Sequence, residues 1–144
     1  MWIGLLWYLN FVQVPTMPTI QPVELRAGIT KFIAPNVLWW FRYSALATVV
    51  TGALLAWMLG YIGDALILRP GFVMIGIGMW MGLIMAFNVW FIIWPNQQKI
   101  LGLVDATAEE KAKAAPIALF ASRFNTMFSI GMLYCMVAQQ NMPV

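Results

Sequence analysis

Long apolar runs broken by short polar stretches set the pattern of this chain. Residues 37–60, 71–94 and 117–138 are each almost uninterruptedly apolar, and each reaches the roughly 20 residues that a helix needs to cross a bilayer. No period-2 alternation marks strands, and a membrane barrel would need many of them. The pattern therefore predicts three spanning helices. Prolines 70, 95 and 116 lie at the segment edges, where proline is expected to start or stop helices. Residues 1–14, "MWIGLLWYLNFVQV", are apolar but too short to span alone and carry no basic leader region. We expect them to be the second half of a fourth spanning helix whose start lies upstream.

Two polar connections separate these runs. Residues 15–36 hold four prolines and a weakly amphipathic middle, in which Val23, Leu25, Ile29, Phe32 and Ile33 suit a membrane surface. Residues 95–116 include "DATAEEKAKAAP". Thr107 followed three residues later by Glu110 is a capping-box pattern, which predicts a short surface helix with a solvated charged face. No internal repeat is evident.

Composition narrows the class. Of 144 residues 62% are hydrophobic and 9% charged, whereas soluble domains carry about a quarter charged residues. Such a chain cannot cover itself in water, so the expected class is an all-α integral membrane protein, a small bundle of about four transmembrane helices forming one domain over residues 1–144. The net charge of +3 argues against a nucleic-acid partner. Its distribution matters more. Arg26, Lys31, Arg42, Lys99, Lys111, Lys113 and Arg123 fall on one side, and Arg69 alone, beside Asp64, on the other. Trp39, Trp40, Trp90 and Trp94 lie near the basic side, as an interfacial belt should. The basic side is thus expected in the cytoplasm of a bacterium, in its inner or intracytoplasmic membrane, with the C-terminus outside.

Catalytic chemistry is sparse. There is no histidine, which removes the commonest metal ligand, haem ligand and proton shuttle. Glu24, Asp64, Asp105, Glu109 and Glu110 all fall in connections. Cys135 has no cysteine partner and reads as a packing residue. Met79 and Met81 could suggest a copper(I) site, yet they lie on different helix faces, and core packing or lipid contact explains them better. No cofactor, metal site or catalytic residue is expected.

Packing signals are stronger. Gly78, Gly82 and Ala86 form one four-residue row of small side chains. Ser44, Thr48, Gly52, Ala56 and Gly60 form another. In lipid such rows let helix backbones approach closely, against each other or against another subunit. Polar residues at depth form the second signal. Asn88 lies six residues before Trp94, about 9 Å along a helix. Arg123, Asn125 and Arg42 enter from the same side. Unpaired polar groups are costly in hydrocarbon, so a polar clasp is expected, with Arg123 donating to the Asn88 side-chain oxygen or to a nearby carbonyl. Snorkelling of Arg123 to the headgroups and an anion site are the alternatives.

The blocks "WIGLLWYLNFVQVP", "FRYSALATVVTGALLAW", "FNVWFIIWPNQQKI" and "ASRFNTMFSIGMLYCMVA" resemble, in that order, the latter part of the membrane domain of the bacterial urate oxidase (urate hydroxylase) family. In that family a longer membrane domain precedes a cytochrome c domain. Here the Cys-x-x-Cys-His of such a domain is absent, as are histidines in the earlier helices. The resemblance implies a shared helical scaffold. Two functions are compatible with these observations. One is a non-catalytic accessory subunit packed against integral membrane subunits of a larger complex, its own copies and lipids. The other is the membrane component of a urate-oxidising system working with a separate cytochrome c.

Overall fold

The computed structural model describes residues 1–141, and every regular element among them is helical. Helix α1 covers residues 2–19. Helix α2 runs Glu24–Met58 and α3 is the short Ile62–Leu66. Helix α4 runs Val73–Leu101 and α5 runs Ala108–Asn141. Both α2 and α4 are long and apolar enough to cross a membrane.

All three long helices outrun the apolar segments, because their prolines do not end them. Val14, Ala34 and Trp94 each stand immediately before a proline. Each donates its N–H to the carbonyl five residues back, on Leu9, Ile29 and Val89. The helix is thus widened into a π turn at Tyr8–Gln13, Ile29–Ile33 and Asn88–Ile93. A proline ring collides with the carbonyl four residues before it in an α-helix. Widening the preceding turn moves that carbonyl away, and the rod continues. Pro95 therefore does not stop α4, which runs on to Leu101. Pro116 lies inside α5, so the surface helix expected after Thr107 and the last apolar segment are one continuous rod.

The ends are set by local chemistry. Thr107 N–H donates to Glu110 Oε2 at 2.8 Å, and Glu110 N–H donates to Thr107 Oγ1 at 3.2 Å. This reciprocal capping box starts α5. Gly102, at φ 70°, ends α4: its N–H donates to the Lys99 carbonyl and that of Leu103 to Gln98. Gly60, at φ 78°, ends α2 in the same way, with Tyr61 N–H donating to the Ala56 carbonyl. Both are left-handed caps that glycine adopts at little cost. Gly60 is therefore a helix terminator, not a member of a packing row. At the start of α4, Gln139 of α5 accepts from Ile75 N–H and donates to the Gly71 carbonyl, supplying partners that a helix terminus lacks.

Helices α4 and α5 share the most extensive interface, and α1 packs against α2 and α5. The core joins Trp2 and Leu6 of α1, Leu38, Phe41 and Ala45 of α2, Met85, Val89 and Ile93 of α4, and Ala121 and Met132 of α5. Short α3 is pressed onto α4 at Gly76, where an added Cβ would collide with the Ala65 carbonyl oxygen.

Candidate functional site: a polar seam through the bundle

Four polar side chains of α5, Ser122, Asn125, Thr126 and Ser129, recur at i, i+3, i+4 and i+7 and so share one face. That face is turned inward. Asn125 and Ser129 are each 0% exposed. On the α4 side, Asn88 Nδ2 donates to Asn125 Oδ1 at 3.0 Å, and Asn125 Nδ2 donates to the Met85 carbonyl at 3.0 Å. Asn88 opens the π turn ahead of Pro95, so the clasp sits where the α-helical hydrogen-bond ladder of α4 is already interrupted.

On the α1 side, Trp7 Nε1 donates to Ser129 Oγ at 2.9 Å. Asn10 Nδ2 donates to Ser122 Oγ at 2.7 Å and to the Leu6 carbonyl. Ser129 Oγ donates a hydrogen bond to the Thr126 carbonyl, and Thr126 Oγ1 donates to the Ser122 carbonyl. The seam thus ties α1, α4 and α5 with neutral amides, hydroxyls and an indole. None of these side chains exchanges a proton near neutral pH. The arrangement can fix the register and rotation of three helices. Among the described residues no three His, Cys, Asp or Glu side chains come together.

The clasp expected from Arg123 to Asn88 is replaced by one between Asn88 and Asn125. Arg123 is exposed, and no hydrogen bond or ion pair joins it to Asn88. Arg42 is also apart from the clasp. Its guanidinium carbon lies 3.4 Å from the ring centroid of Trp94, 5.3 Å from that of Trp90 and 5.5 Å from that of Tyr43. Its Nε is buried without a hydrogen-bond partner, as are Trp90 Nε1 and Asn10 Oδ1. Trp7, Asn10, Ser122 and Ser129 were not singled out from the sequence. The four-residue polar spacing in α5 is the signal that could have found the serines.

The two small-residue rows do not meet each other. An added Cβ on Gly78 would stand 3.2 Å from Cys135 Cβ, and one on Gly82 would stand 3.5 Å from Met132 Sδ. Both glycines therefore receive α5, and Cys135 is a buried packing residue there. Ala86 is partly buried against the core. On α2, Ala56 is buried, while Thr48 and Gly52 are exposed and nothing lies within 4 Å of a Cβ built on Gly52. Thr48, Gly52 and Ala56 line one wall of an apolar cleft of about 370 Å³ that has Gly82 and Met132 on the other side. The Thr48 hydroxyl is spent on the Ser44 carbonyl.

No curated relative and no solved structure matches the chain. Residues 65–142 match the family model described as urate oxidase, N-terminal. The matched stretch takes in α4, α5 and the Asn88–Asn125 clasp. It leaves out α1 and Arg42, and with them the first two of the four resembling blocks. Because the match spans more than half of the 144 residues, the chain belongs to the urate oxidase N-terminal family.

Proposed function

We propose that this chain is a multi-pass membrane subunit with a structural role, packing against a larger membrane complex or its own copies. The observation that carries this reading is an inverted distribution of polarity. Asn125 and Ser129 are 0% exposed while Phe120 is 74% and Phe91 68% exposed. A protein in water would bury the phenylalanines. In hydrocarbon the polar groups must find partners inside, as they do here. The most apolar windows of α2 and α4 are only 22% and 33% buried, unlike the core helix of a soluble protein. Helix α5 is less apolar because it carries the seam, and it completes the bundle with α1. The seven basic residues on one side support a cytoplasmic location for that side and a C-terminus outside it. An inner-membrane location in a bacterium accords with this. The buried groups tie helices together, as the hydrogen bonds among α1, α4 and α5 indicate.

The test is co-purification under mild detergent from native membranes, followed by identification of the companions. Stoichiometric recovery with other integral membrane subunits, or as a defined homo-oligomer, is expected. Recovery as a free monomer would overturn the reading. The family match favours a second reading, in which the chain is the membrane component of a urate-oxidising system with a separate cytochrome c. Membranes from cells lacking the chain would then lose urate turnover, and a cytochrome c would accompany it.

A further inference from the structure

We propose that Arg42 is the binding site for the phosphate of an anionic phospholipid in the cytoplasmic leaflet. The inference rests on the membrane reading above. Arg42 lies in an aromatic cage: the Trp94 ring centroid is 3.4 Å from the guanidinium carbon, at stacking distance, with Trp90 and Tyr43 farther around it. Stacking satisfies the π faces of a guanidinium but leaves its in-plane N–H fork, which matches a phosphate bidentately. Among the described residues nothing fills that fork. Arg42 makes no ion pair; Asp64 is taken by Arg69 and Glu109 by Lys113. Glu110 is engaged by Thr107. A cation with no acid beside it at this depth needs its counter-charge from outside the chain.

The setting specifies where that charge comes from. Trp39, Trp40 and Tyr43, on the same stretch of α2, are 46%, 54% and 41% exposed. Amphipathic rings so displayed sit at the headgroup level of a bilayer. Trp90 and Trp94 flank Arg42 from α4, where the π turn before Pro95 runs between them. The cage is therefore held by two helices and fixes the guanidinium plane before any ligand arrives. Arg123, on the same side, is exposed and has no such cage. A net-negative headgroup is favoured over a zwitterionic one, because a choline cation beside an uncompensated guanidinium repels it.

The experiment uses the full chain in mild detergent, supplied with equal phosphatidylglycerol and phosphatidylcholine, and counts retained lipids by native mass spectrometry. One phosphatidylglycerol should be retained with about tenfold preference, the scale of one charge-assisted hydrogen bond. Arg42→Gln should abolish the preference, Arg42→Lys should keep only part of it, and Arg123→Gln should leave it unchanged. Circular dichroism and elution volume identify folded variants, and Arg42→Lys carries the test if Arg42→Gln misfolds. Equal retention of both lipids by the wild type would overturn the proposal. So would an Arg42→Gln protein that keeps its preference, or displacement of the lipid by millimolar inorganic phosphate, which would mark a free-anion site. Failure of the membrane reading shows separately, as a chain that stays dispersed in buffer without detergent.

Discussion

Arg123 and Asn125 are two positions apart, and at about 100° per residue their side chains leave α5 on opposite sides. Once Asn125 faces α4, Arg123 must face out. Depth along the helix suggested that the two would act together; rotation about its axis separates them. The rotation was available from the sequence, because Ser122, Asn125, Thr126 and Ser129 already mark the inner face. The clasp itself carries a testable energy. Asn125→Ala removes the acceptor of Asn88 and the donor to Met85. Hydrogen bonds between spanning helices average about 0.6 kcal/mol, but a buried partner left unpaired adds its own cost, so a loss of about 1–2 kcal/mol is expected. Unfolding titrations in mixed detergent micelles should show it. Asn88→Leu combined with Asn125→Leu should recover part of the loss, since no amide is then stranded; a strictly additive double variant would mean that the two do not interact.

At the scale of elements, what the sequence states most clearly is the number of rods, and what it conceals is their ends. Prolines 15, 35 and 95 look like boundaries, yet a π turn absorbs each one. The capping box at Thr107 and Glu110 was legible because both partners are local. Its pH dependence follows. The Thr107 backbone N–H, and then its hydroxyl, hold the Glu110 carboxyl below its usual range. A depressed folded-state value stabilises the helix start above the ordinary carboxylate pKa, and that contribution disappears as pH falls through the lowered value. Amide exchange at Ala108–Lys111, corrected for its intrinsic pH dependence, should therefore quicken as pH drops from about 5 toward 3, values that bracket the ordinary carboxylate range. A Glu110→Gln chain should show no such step. The glycines sort by geometry. Gly76 abuts the Ala65 carbonyl, which cannot rotate away, whereas Gly82 faces the flexible end of Met132. Gly76→Ala should thus cost about 1–3 kcal/mol as overpacking, read by the same unfolding titration, and Gly82→Ala little. Equal effects would show that α3 yields to α4. Nothing in the sequence distinguished Gly76 from its neighbours, because its contact comes from a preceding helix turned back by the loop.

Across the whole molecule, the part that matches the family model is not the part that closes the bundle. Residues 65–142 supply α4 and α5, but the inner face of α5 is satisfied as much by α1 as by α4. Without α1, Ser129 loses the Trp7 indole and Ser122 loses the Asn10 amide. With α2 gone as well, the core loses Trp2, Leu6, Leu38, Phe41 and Ala45, half of its buried members. The polar groups would then meet hydrocarbon without partners, which each costs more than a solvated group would. Residues 61–144 expressed alone should therefore accumulate in membranes at a small fraction of the full-length level. Residues 1–60 supplied as a separate chain should restore much of that abundance, since each piece contains whole helices and the loop between α2 and α3 holds no part of the seam. Quantitative blotting of washed membranes measures both. Full accumulation of 61–144 alone would show that the matched segment is an independent unit and that α1 and α2 are an addition to it. Rescue by 1–60, lost again when Trp7 and Asn10 are replaced by leucine, would place the assembly of the two halves on the seam.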